Sequence, residues 1–77
     1  MKKVTMYSTP TCHYCNLAVD FFEAHGIEYT KFDVAKDLAK RKEMMDKSGQ
    51  MGVPVIDIDG KIVVGFNEDM IAGLLGI

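Results

Sequence analysis

The chain has 77 residues, 48% of them hydrophobic and 26% charged, with a net charge of -2. That length suits one small domain, 1-77, which buries only roughly 60% of the surface its unfolded form exposes. The longest basic run, Lys40-Arg41-Lys42, reads as a solvated helix face and no apolar run is long enough to span a bilayer, which argues against nucleic-acid and membrane partners.

Met1-Lys2-Lys3 passes into the first strand without the apolar stretch of a signal peptide, so a cytoplasmic location is expected. Val4 to Ser8 reads as that strand, and Thr9-Pro10-Thr11 breaks it. Cys12-His13-Tyr14-Cys15 follows and holds both cysteines of the chain. Asn16 to His25 reads as a helix: Cys15, Ala18, Val19 and Phe22 recur at helical spacing, Leu17 and Phe21 widen the face, and Gly26 stops it. Ile27 to Val34 is a second strand, parallel to the first because a whole helix lies between them.

Asp37 is a candidate cap for a helix running to about Lys47, with Leu38, Ala39, Met44 and Met45 as its apolar residues. Ser48 to Gly52 is a loop, and Val53 to Ile58 a third strand. Asp59-Gly60 is a strong hairpin signal, with Lys61 to Val64 as the return strand. After Gly65 a last helix begins near Asn67 and turns Met70, Ile71, Leu74 and Leu75 inward. The order β-α-β-α-β-β-α predicts an α/β fold, one mixed four-stranded sheet sandwiched by three helices.

The cysteine pair carries the chemistry. A Cys-x-x-Cys at a strand-to-helix junction sets its first sulfur at the helix N-cap or N1, among free backbone amides that favour thiolate. Cys12 is then the nucleophile and Cys15, one turn on, the resolving thiol. A purely structural staple closing so short a loop contributes little stability. A zinc site is a poor fit, because only His13 and His25 are available as further ligands. A redox-silent adaptor leaves the complete pair without a purpose. The methionines read as core filling, with Met51 beside Val53-Pro54 as the exception.

Cys12-His13-Tyr14-Cys15 after the first strand, Val53-Pro54 at the third, and Gly65 followed by an aromatic and an acidic helix start resemble glutaredoxin over essentially the whole chain. The short glutaredoxin-like redoxins are similar too. The resemblance implies a thioredoxin-like fold with sheet order 2-1-3-4, a cis peptide before Pro54, and thiol-disulfide oxidoreductase activity on a disulfide-containing protein or a glutathione mixed disulfide. It implies that the Val53 backbone pairs with an extended substrate. It also implies that Gly65, Phe66 and Asn67, or Glu68, receive the γ-glutamyl end of glutathione; plain capping by Asn67 is the other reading of that segment. Tyr14 matches the family's aromatic and is a candidate wall for the substrate. His13 stands where the family commonly has proline and is a candidate for tuning the redox poise. No bound cofactor is expected, glutathione would be a co-substrate, and a monomer is the expected unit.

Two departures bear on the reductant. Val64-Gly65 replaces the family's usual double glycine, and Ser8 stands where many members carry a basic residue for glutathione. Thioredoxin reductase therefore competes with glutathione as the electron source, although the Trp usual in redoxins recharged that way is absent. A non-catalytic alternative is an iron-sulfur cluster bridging two chains through Cys12 and glutathione.

Overall fold

The computed structural model describes residues 3–77; the approach to the first strand through Met1 and Lys2 lies outside the described residues. Seven elements follow in the expected order: β1 (Val4–Ser8), α1 (His13–Ala24), β2 (Thr30–Asp33), α2 (Leu38–Ser48), β3 (Val55–Ile58), β4 (Lys61–Val64) and α3 (Glu68–Leu75). The sheet runs β2-β1-β3-β4. Strand β2 is parallel to β1, with Ser8 beside Asp33. Strand β3 is antiparallel to β1, with Tyr7 opposite Val55, and β4 is antiparallel to β3, with Val55 opposite Val64. This register gathers the ends of β1, β2 and β4 and the start of β3 at one end of the sheet.

Alternation along the strands divides the core. Val4, Met6, Ile56 and Ile58 join Phe22 and Ile71 on one face, while Tyr7 and Val55 join Val34 and Met44 on the other. The first cluster draws on α1 and α3, the second on α2. Central strand β1 is buried at all five positions, as expected of a strand covered on both faces.

Element bounds differ from the sequence pattern for identifiable reasons. Helix α1 begins at His13, so both cysteines belong to its first turn rather than preceding a helix at Asn16. It closes with Gly26 at φ +65°. The amides of Ile27 and Gly26 bond back to the carbonyls of Phe22 (2.8 Å) and Glu23 (3.2 Å). That is a Schellman closure. It commits Ile27 to the helix end, so β2 starts at Thr30 rather than Ile27. Strand β3 starts at Val55 rather than Val53, since Pro54 has no amide to give a ladder. The Asp59-Gly60 turn is as expected, with φ +50° and +90° suited to a two-residue hairpin.

Met70, expected to face inward, is 47% exposed, and of the apolar residues of α2 Leu38 is 67% and Met45 37% exposed, with Ala39 exposed as well. In α3, Ile71 alone is fully buried. In α2, Met44 alone is, because polar groups make the rest of its contact with the sheet. The Tyr7 hydroxyl donates to Glu43 Oε2. Lys47 Nζ donates to Tyr7 Oη at 3.1 Å and to Asp57 Oδ2 at 2.8 Å. Asp57 Oδ1 accepts from the Gly60 amide at 2.7 Å, tying the cluster to the hairpin turn.

The network orders its own charges. The Tyr7 hydrogen bond, followed by Lys40, holds the Glu43 carboxyl below the usual range against the opposing effect of burial. Burial is the largest influence on Asp57 and pushes it up, yet the Lys47 and Gly60 hydrogen bonds together win and its value is lowered. Bonds to Asp57 and then to Tyr7 raise Lys47. Burial, then the bond to Glu43, raises Tyr7. Lowered carboxylates contribute stability that is in place above their unfolded values and is lost as pH falls through the folded ones.

Candidate active site

Helix α1 follows β1 through Thr9-Pro10-Thr11, whose turn is held by the Cys12 amide donating to the Thr9 carbonyl at 3.3 Å. Cys12 is the N-cap, in extended backbone at φ -86° and ψ 112°. Its sulfur takes the place that a Ser or Asp oxygen fills in other helices, accepting from the Cys15 amide at 3.1 Å. The first turn contains no acidic residue, so nothing there offsets the positive end of the helix. Cys12 and Cys15 are joined as a disulfide with Cα atoms 5.2 Å apart, within the ordinary range for such a bond. The two sulfurs differ in access: Cys15 is 2% exposed, whereas Cys12 is half-buried.

The other candidates arrive from the same end of the sheet. Val53-Pro54 is a cis peptide, immediately before the residue paired with Tyr7. Pro54 is buried and Val53 half-buried. The Pro54 carbonyl accepts from the Gly65 amide at 2.8 Å, which fixes the exit of β4 against the proline. Gly65 has φ +81°, a conformation that glycine adopts without the cost a Cβ adds. Phe66 is half-buried. Its ring meets Phe21 of α1 edge-on at 5.9 Å, and it packs on the core.

Asn67 caps α3, accepting from the Met70 amide at 3.2 Å, and Glu68 and Asp69 fill that helix's first turn. Its side-chain oxygen is thus engaged in plain capping. His13 and Tyr14 are both exposed, with rings 5.6 Å apart in an edge contact. Met51 is 54% exposed in the loop before Val53. Ser8 is buried, its hydroxyl directed at the Phe32 carbonyl at 3.4 Å. Among the described residues, no group of three or more His, Cys, Asp or Glu side chains is arranged to hold a metal ion.

A cavity of about 170 Å³ adjoins Cys15 and is closed on the β2 side by Lys31 and Asp33. The signal for it was present, since alternation places residues 31 and 33 on the face opposite Phe32, but only the pairing of Ser8 with Asp33 brings that face to the cysteine.

A 2-1-3-4 sheet with helices on both faces, a cysteine pair capping the first helix and a cis-proline at the same sheet end together define a thioredoxin-like thiol redox protein. A mutant form of the thioredoxin-like protein BC3987 superposes with a TM-score of 0.92 at 34% identity, covering 100% of this chain and 99% of that one. The chain belongs to the glutaredoxin family, whose model, described as Glutaredoxin, matches residues 4–63. It is 43% identical over 72 residues to a glutaredoxin-like 8.6 kDa protein in the rubredoxin operon of Clostridium pasteurianum, covering 94% of this chain and 96% of the relative. It is 32% identical over 68 residues to glutaredoxin 3 of Escherichia coli K12, covering 88% and 82%. No helix among the described residues is long and apolar enough to cross a membrane.

Proposed function

We propose that the chain reduces disulfides in proteins by a two-cysteine exchange, with Cys12 as the attacking sulfur and Cys15 as the resolving one. The difference in access carries this reading: Cys12 is half-buried at the helix cap, while Cys15 is 2% exposed behind it. In the reduced pair, the positive end of a twelve-residue helix favours the Cys12 thiolate. Its electron pair forms a bond to one substrate sulfur, and the substrate disulfide breaks. The other substrate sulfur leaves as a thiolate and takes a proton from solvent. Cys15 then attacks Cys12, the second substrate thiol departs, and the pair is left oxidised by two electrons.

Val53, with its backbone beside Pro54, pairs with the extended substrate segment in this reading. Tyr14 walls the approach, and His13 adds positive charge near Cys12 when protonated. A cytoplasmic setting fits, since thiol pairs there cycle rather than staple.

One observation favours a flavin-dependent thioredoxin reductase over glutathione as the electron source. Ser8 is buried and uncharged where a basic partner for a glutathione carboxylate is expected. A missing charged partner costs roughly 1.5–3 kcal/mol, or about one to two orders of magnitude in affinity. Oxidised protein offered NADPH with thioredoxin reductase, and separately glutathione with glutathione reductase, is expected to be re-reduced at least about tenfold faster by the first system. Faster re-reduction by glutathione overturns the choice of electron source. Turnover in neither system overturns the reductase reading itself.

A further inference from the structure

The loop that leads from α2 into Val53 is organised around one side chain. Gln50 Oε1 accepts from the Gly52 amide at 2.5 Å, and Gln50 Nε2 donates to the Gly52 carbonyl at 3.0 Å. One carboxamide reaches both groups of a residue only where they point to the same side, as in extended backbone. Gln50 is itself tied to α2: its amide donates to Ser48 Oγ at 3.3 Å, and that hydroxyl donates to the Met44 carbonyl at 2.7 Å. Gly52 is not among the glycines at positive φ, so space and not backbone freedom excludes a side chain there. A Cβ on Gly52 would lie 2.7 Å from Gln50 Oε1, too close for the carboxamide to stay. Val53 comes next, and the residue before a proline is confined to extended backbone. Neighbouring residues of an extended chain turn their amides and carbonyls to opposite edges. Gln50 therefore fills the edge of Gly52, and the edge of Val53 faces the other way. Among the described residues, no hydrogen bond engages the Val53 amide or carbonyl.

We propose that Gln50 is a positioning residue for substrate: by holding one edge of Gly52 it presents the opposite edge, at Val53, as a ready strand for the backbone that flanks a protein disulfide. The inference rests on the reading of Val53 as the backbone partner of an extended substrate. Gln50 touches neither the substrate nor a sulfur. It keeps the Val53 amide and carbonyl from turning inward to partners of their own, so that ordering the loop does not weaken association. The substrates favoured this way are those with a free backbone amide beside the reacting cysteine. A small disulfide without such an amide gains nothing from Gln50.

Two substrates separate this role from a general effect on the fold: a peptide whose disulfide lies in an extended segment, and a small aromatic disulfide with no backbone to pair. Gln50→Ala is expected to lower kcat/KM for the peptide about five- to tenfold, through KM, and to leave the small disulfide unchanged. Gly52→Ala is expected to do the same by displacing the carboxamide. The double variant is expected to be no worse than either single one, since both remove the same contact. An unchanged KM for the peptide in Gln50→Ala, equal slowing of both substrates, or additive effects of the two substitutions overturns the proposal. A peptide N-methylated at the residue beside its cysteine identifies failure of the underlying reading. Wild-type protein that reduces it as readily as the unmodified peptide does not pair through Val53, and the role of Gln50 falls with that reading. A wild type that discriminates, matched by a Gln50→Ala variant that discriminates as strongly, overturns the role of Gln50 alone.

Discussion

Replacing Cys12 by serine is expected to lower disulfide-reducing turnover by more than about 10³-fold. The serine can still cap α1, because its oxygen can accept the amide bond that the sulfur takes from Cys15. Structure is therefore retained while the nucleophile is lost, since a hydroxyl without a neighbouring base is not ionised near neutrality. Cys15→Ser has a different expected outcome. Attack by Cys12 proceeds, but the mixed disulfide has no internal thiol to release it, and the protein accumulates as a covalent adduct cleared only by external thiol. Turnover with a protein disulfide, together with intact mass after mixing, reads both variants. Full activity in Cys12→Ser would instead support an adaptor that uses the fold without redox chemistry.

The second large effect is on stability. Phe22→Ala is expected to cost about 3–5 kcal/mol. Phe22 is fully buried in the α1/α3 core, with Tyr29 and Phe21 rings at 5.4 and 6.0 Å. A chain this short has a total stability on the order of 4–12 kcal/mol, so the loss spans from a quarter of it to more than the whole. Leu38→Ala is the matched control: Leu38 is 67% exposed, and its truncation is expected to stay within about 0.5 kcal/mol. Denaturant midpoints of the two variants check the core assignment, which fails if they move together.

Local signals in the sequence were good guides wherever a short-range rule governs the backbone. The caps at Asp37 and Asn67, the stop at Gly26 and the Asp59-Gly60 turn each depend on a few adjacent residues, and each is found where expected. The cysteine pair belongs with them, since its helix-capping role depends only on the strand before it and the helix after it. The sequence misleads where the deciding contact is distant. Leu38 and Met45 look like a helix core until Tyr7, Glu43, Lys47 and Asp57 meet across the α2 face. Those four polar residues are 10 to 40 positions apart in the pairs that bond, and no periodicity joins them.

The same reason hid the cavity behind Cys15, which depends on the parallel register of β1 and β2. Phe66 and Asn67 were readable as a binding segment, but their side chains are engaged in ring packing and capping.

Exchange at Cys12 depends on an acidic thiol, which follows from α1 beginning at that residue. Its titration in the reduced protein, followed by the pH dependence of alkylation at that single thiol, tests this without any assumed substrate or reductant. A midpoint within roughly 3.5–7.5 is the predicted result, and a midpoint near 8.5, the value of a free cysteine, would contradict it.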